Sequence, residues 1–268
     1  MLAAALTAES GSPVELKAFD TPAEAYDRLA AAPPDGTTLG LVAAEVTMLH
    51  WRGQSGVKPD ALAPLALIAT DPAGIHVRAN DTVRSVQELA ADLRARPGAR
   101  KISGAGRGAI WHMAAMRWHA AANLGNPAWS AAASPRDAIA DLAAGETDIV
   151  VCSIPEVRAT PETRLVRTVG VMMPSRYQRY PEVPSISEAG LKLDVGFWRG
   201  VAGPAGLPAA ARGQATALLK RAYQNATFQR DSQRRGFHLR WADERPFGEF
   251  MGREDAAMGT ALKAAGLA

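Results

Sequence analysis

What most limits the folds open to this chain is its alternation of short apolar runs with amphipathic helical stretches. The apolar runs are TLGLVAA (38–44), LAPLALIAT (62–70), GIHVRA (74–79), RKISGA (100–105), AWSAAA (128–133), TDIVVCS (147–153), RLVRTVGVMM (164–173) and GFWRGVAG (196–203). Strands of this kind interleaved with helices predict an α/β fold on a mainly parallel sheet, covered on both faces. Ser85 and Glu88 form a capping-box pattern ahead of a helix that turns Val86, Leu89 and Leu93 to one side, and Pro97 and Gly98 end it. Ser134, with Pro135 at the first helical position, opens another helix, directs Ile139 and Leu142 inward and stops at Gly145. Longer helical patterns near 208–226 and 244–264 predict a C-terminal helical layer, joined by RRGFHLRWAD, with Asp243 as N-cap of the second.

A length of 268 residues accommodates two modest domains or one large one, and 47% hydrophobic with 21% charged residues is a globular composition. The net charge of +3 comes from scattered Lys and Arg rather than a basic stripe, which argues against nucleic-acid binding and is compatible with a small anionic ligand. Cys152 is the single cysteine, so an intrachain disulfide and a cysteine zinc cluster are both excluded. No run approaches the ~20 apolar residues of a membrane span. The opening MLAAALTAESGSPVEL lacks the charged and apolar regions of a secretory signal.

The stretch KISGAGRGAIWHMA (101–114) carries the richest local chemistry. Gly104, Gly106 and Ala109 satisfy G-x-G-x-x-[GA], but a dinucleotide fold also needs an acid about 20 residues on. There the chain reads GNPAWSAAAS, with no acid until Asp137 inside the next helix. GQSGV (53–57) misses a nucleophile elbow by its last residue. Cys152 and Ser153 follow an apolar strand where a nucleophile could sit, and His112 could approach them, but no orienting carboxylate completes the arrangement. His112 and His119 stand seven residues apart on one helix face, ~10 Å along the axis, too far to share a metal ion. No cofactor and no metal site is expected. A helix starting near Ala109 would leave unpaired N–H groups and a partial positive charge for a carboxylate or phosphate, with Gly104, Gly106 and Gly108 allowing close approach and Arg107 adding charge. The competing reading of the same residues is a tight strand-to-helix turn and nothing more.

Six collinear segments, PPDGTTLGLVAAEVTMLHW, SGAGRGAIWHMA, AIADLAAGETDIVVCSIPEV, RYPEVPSISEAGL, GFWRGVAGPAGLP and LKAAGL, resemble the substrate-binding proteins of tripartite tricarboxylate transporters, the Bug receptors. The resemblance runs from about Ser12 to the C-terminus. It implies a type II-like periplasmic binding fold of two α/β domains around a ligand cleft, with domain 1 made of residues 1–75 and 198–268 and domain 2 of residues 76–197. It also implies a periplasmic, monomeric receptor, not an enzyme. Such a receptor takes a small di- or tricarboxylate, closes on it as a hinge and presents it to a membrane transporter or sensor.

Carried over by motif, the ligand loop of the second domain is Ser103, Gly104, Ala105, Gly106, Arg107, Gly108, Ala109 and Ile110, with Cys152, Ser153 and Ile154 at a neighbouring strand end. The first domain would contribute Ala44, Glu45, Val46 and Thr47, and the returning strand Trp198 and Arg199. Glu45 would repel a carboxylate, so it would bind a ligand amine, hold Arg107 or Arg199, or point away. Family members usually begin with a secretion signal, a first strand and a ligand loop. This sequence opens at what corresponds to the following helix, so the first strand of domain 1 is expected to be missing. Binding is then expected to be weak in this chain and tight in one extended upstream. The alternative is an α/β enzyme using the 104–109 turn for a nucleotide cofactor or Ser153 as nucleophile.

Overall fold

The computed structural model describes all 268 residues. In chain order the elements are α1 (Leu2–Ser10), α2 (Pro22–Ala30), β1 (Gly40–Ala43), β2 (Leu62–Arg78), α3 (Val86–Ala95) and β3 (Ile102–Ser103). There follow α4 (Ile110–Ala121), α5 (Pro135–Ala144), β4 (Ile149–Ser153), α6 (Ile154–Arg158) and β5 (Val166–Val171). The chain ends with β6 (Gly196–Pro204), α7 (Ala209–Gln224), α8 (Ala226–Arg234), β7 (Leu239–Asp243) and α9 (Glu244–Ala264). Two compact units result: Met1–Thr70 with Trp198–Ala268, and Asp71–Phe197.

The fold is α/β, but the expected parallel sheet is not what forms. Pairs β1–β6, β2–β4, β2–β5 and β2–β7 are antiparallel, whereas β3–β4 is parallel. The cause is β2. LAPLALIAT and GIHVRA, read as two strands, are one continuous strand, and most other strands pair alongside it in the opposite direction. Pro72, which has no N–H to give, lies where β2 changes partners. Ala66, Leu67 and Ala69 pair with β7, whereas Ala73 to His76 pair with β4.

In the Met1–Thr70 and Trp198–Ala268 unit, the core joins Ala5 and Leu6 of α1, Leu65, Ala66 and Ile68 of β2, and Ala215, Leu219 and Ala222 of α7. The pattern at 208–226 is interrupted at Asn225, whose side chain accepts from Thr227 and Phe228 N–H and starts α8 as a separate helix. The linker RRGFHLRWAD contains β7, a strand absent from the sequence reading. Asp243 precedes α9 without capping it, because its carboxylate instead accepts the Trp241 indole N–H at 3.0 Å.

In the Asp71–Phe197 unit, Ile75, Leu89, Ile102, Trp118, Ile139 and Val151 lie in one buried cluster drawn from β2 to β4 and α3 to α5. The serine caps are seen: Ser85 Oγ accepts from Glu88 N–H at 3.2 Å and Ser134 Oγ from Asp137 N–H at 3.3 Å, and Gly145 closes α5 with φ 87°. The reciprocal arm at Ser85 differs, since Glu88 accepts from Arg84 N–H at 2.6 Å. AWSAAA forms a single bridge, Trp129 to Ile102, rather than a strand. No helix is long and apolar enough to cross a membrane.

Candidate functional site

Within the Asp71–Phe197 unit, β3 delivers the chain into the turn Gly104–Ala109, and α4 begins at Ile110. Helix α4 is buried nearly all round, with Trp111 to Met116, Trp118 and His119 out of solvent. Such a helix is fixed by packing rather than by one apolar stripe. Ala109 is its N-cap and supplies no side-chain acceptor, and the first backbone bond inside the helix is Met113 N–H to Ala109 C=O at 3.1 Å. The amides of Ile110, Trp111 and His112 are therefore the ones a helix start leaves without an intrahelical partner. The other helices of the unit differ: α3, α5 and α6 are capped by Ser85, Ser134 and Ser153.

The three glycines of the turn have different physical reasons. A Cβ on Gly104 would lie 2.2 Å from the Val151 carbonyl oxygen, so this residue is glycine because β4 runs against it. Gly108 has φ +80°, the left-handed region that favours glycine. Gly106 has open space, with no atom within 4 Å of a built Cβ. Arg107 is exposed in the turn, while Ser103 and Ala105 are buried. The Ser103 hydroxyl has no hydrogen-bond partner.

Not every amide of the turn is available. Ala109 N–H donates to Gly106 C=O at 3.1 Å, and Gly108 N–H donates to His112 Nδ1 at 3.0 Å. The amides that a helix start leaves without an intrahelical partner thus begin at Ile110, after Ala109. The His112 ring lies against Trp129, centroids 4.6 Å apart. Beside it, the Trp111 indole and Ser153 both hydrogen-bond the Glu156 carboxylate, which burial pushes above the usual carboxylate range.

The strand end after β4 departs from the sequence reading. Ser153 is an N-cap: its Oγ–H and N–H both donate to Glu156 at 2.8 Å, and its Oγ accepts from Glu156 N–H at 3.4 Å, a full capping box. A hydroxyl held this way is not a poised nucleophile. Cys152 is fully buried, and burial raises its thiol pKa well above normal. Ile154 packs with Val171, Tyr177 and Val183. Asp137, the acid after the glycine turn, is taken up by the Ser134 cap at 2.6 Å. Neither enzymatic alternative finds its residues in place.

In the other unit, Ala44, Val46 and Thr47 are fully buried in a 3-10 turn after β1, and Thr47 Oγ donates to Ala44 C=O at 2.7 Å. Glu45 is half-buried; desolvation pushes its carboxyl up, and the nearby Arg199 charge partly offsets this. Of the roles open to Glu45, the Arg199 charge that acts on it favours holding Arg199. The Arg199 guanidinium also lies over the Phe237 ring, 4.9 Å from its centroid. Trp198, 1% exposed, is a core residue wedged edge-on against Phe247 and Phe250 at 5.7 and 5.6 Å, not a residue of an open surface.

A family model described as the tripartite tricarboxylate transporter family receptor, TctC, matches residues 15–267. The chain belongs to this family. It is similar to a UPF0065 protein in the tcbD-tcbE intergenic region of Pseudomonas sp. (strain P51), 33% identical over 192 residues, which covers 68% of this chain and 55% of that protein. The chain thus matches only about half the length of that curated relative. Among solved structures, a TctC solute-binding protein from Polaromonas has a TM-score of 0.88 at 23% identity, covering 98% of this chain and 92% of that one. The R. palustris protein Rpa4515 with adipate gives 0.77 at 18%, covering 99% and 90%. TctC relatives are solute-binding receptors rather than enzymes, and the two structures show that the fold is theirs.

Three buried histidines of the TctC-family chain make the Asp71–Phe197 unit acid-sensitive. His76 donates from Nε2 to Cys152 C=O at 3.1 Å, His119 from Nδ1 to Gly125 C=O at 3.1 Å, and His112 accepts from Gly108. Burial lowers each to about 4 from 6.5. The unfolded chain takes up protons below about 6.5 that the folded chain refuses until about 4, so stability is full above this window and falls as pH drops through it. Glu156 and Glu45, whose pKa values are raised, act in the opposite sense, whereas Asp81, Asp92 and Glu188, whose pKa values are lowered, act with the histidines. Urea midpoints should be lower at pH 4.5 than at pH 7; equal midpoints would refute the assignment.

Proposed function

We propose that this chain binds a small organic di- or tricarboxylate at the turn Ser103–Ile110 and the first amides of α4, and hands it to a tripartite tricarboxylate-type membrane transporter or to a sensor. The observation that carries this reading is the bare helix start at Ala109, in a unit whose other three helices each have a serine cap. A carboxylate supplies what the missing serine would, two oxygen acceptors and a charge that the helix dipole favours. Arg107 adds a guanidinium suited to a carboxylate. Membership of a receptor family, and adipate in the structurally similar Rpa4515, support the same ligand class. The same membership supports work in the periplasm.

Gly106 provides the test because its side is open. Gly106→Leu is expected to leave stability within about 0.5 kcal/mol of the parent, as for a surface change. Its affinity for adipate, read by calorimetry, should fall by at least roughly tenfold because the new side chain occupies the approach to the α4 amides. Succinate, malate and citrate complete the panel. Unchanged affinity in the variant, or no carboxylate bound by the parent, overturns the proposal.

A further inference from the structure

The Gly108 to His112 bond spans a single helical turn, from a left-handed glycine to a buried imidazole four residues on. Because Gly108 N–H is the donor, Nδ1 of His112 must present a lone pair and the ring proton must sit on Nε2. Burial and the Arg107 charge both disfavour the imidazolium, which keeps that lone pair available at neutral pH. Trp129 covers the ring at 4.6 Å, and Trp129 also touches the position a Gly104 Cβ would take, at 3.1 Å. One imidazole thus ties the last turn residue before the cap to α4 and, through the indole, to the first glycine of the same turn. In the sequence His112 is a candidate base or metal ligand, or a packed helix histidine; the bond from Gly108 gives it a different part.

We propose that His112 is a positioning residue for the carboxylate site: its Nδ1 holds Gly108 so that the turn stays clear of the amides of Ile110, Trp111 and His112. The proposal rests on the assignment of that turn as the ligand site. If the acceptor is lost, Gly108 N–H loses its imidazole partner in a buried place, and the turn rearranges toward the solvent or ligand oxygen that the α4 amides would otherwise hold. The consequence is a change in ligand affinity that follows the acceptor and not the aromatic bulk.

Two substitutions separate these properties. His112→Asn keeps an acceptor oxygen near the place of Nδ1 but loses the ring, whereas His112→Phe keeps a ring against Trp129 but has no acceptor. Adipate titrations should show His112→Phe weakened by roughly tenfold, the worth of one buried hydrogen bond, with His112→Asn restoring most of the loss. A merely structural ring would give the reverse order, and that order overturns the proposal, as does equal loss in both. Nitrogen-15 spectra of the ligand-free protein at pH 7 supply a reading that needs no ligand. They should show Nδ1 unprotonated, Nε2 protonated and a Gly108 amide protected from exchange in the parent and in His112→Asn, but unprotected in His112→Phe. Those spectra with no adipate binding by the parent would leave the His112 bond standing and remove the ligand assignment; a protonated Nδ1 would remove the bond itself.

Discussion

Trp198→Ala should cost about 3–5 kcal/mol of unfolding free energy, the range for emptying a buried aromatic site. Trp198 is among the largest fully buried side chains, and the Phe247 and Phe250 rings meet it edge-on at 5.7 and 5.6 Å. Phe247 cannot follow the lost indole, because it is itself fully buried and also faces Gly200, whose built Cβ would lie 2.2 Å from the Phe247 ring. The hole therefore stays open, which is what drives such losses to the upper part of their range. The Trp198 indole N–H has no partner, so Trp198→Phe gives back some of the loss by removing a buried donor that is already unsatisfied. Urea unfolding of the three proteins reads this directly. A loss below about 1 kcal/mol with a large loss of adipate affinity would return Trp198 to the ligand-contact role that the family resemblance implies.

Gly104→Ala is the second large effect, about 3 kcal/mol or more, from one methyl group. The new carbon would meet the Val151 carbonyl at 2.2 Å and Trp111 Cβ at 3.0 Å, both on elements that cannot swing aside as a side-chain tip would. Relief requires β3 to move off β4, and with it the pairs Ile102 to Ile149 and Ser103 to Val150. Gly106→Ala, two residues later, enters empty space and should be close to neutral. The two alanine variants compared in one denaturation series isolate the turn geometry, and equal stability in both would contradict it.

These two positions also show how far the residues alone carry the structure. The pattern G-x-G-R-G announces a turn, but three glycines look alike in sequence while one answers to a strand backbone, one to a left-handed φ and one to open space. Helix starts were legible at Ser85 and Ser134 because a cap is a local event within four residues. Ser153 with Glu156 carries the same S-x-x-E spacing and could have been read as a cap before it was weighed as a nucleophile. Strand direction was not legible, because an apolar run has a period and no arrow; pairing along β2 is set by contacts far apart in the chain. β7 escaped notice because its residues are only half-buried or exposed. For Trp198, the resemblance locates a position in a motif and does not say which way the side chain leaves the strand. The His112 bond did have a signal, a histidine four residues after a glycine at a helix start, where an imidazole can reach back to a turn amide.

An alanine at position 109 leaves α4 an unfinished helix. A serine there would tie down an amide from within and steady the protein by about 1 kcal/mol. The protein forgoes that increment, and under the proposed site an anion completing the first turn would recover it as part of its own binding energy. Occupancy and rigidity would then be the same event, with the guest as the last piece of secondary structure to form.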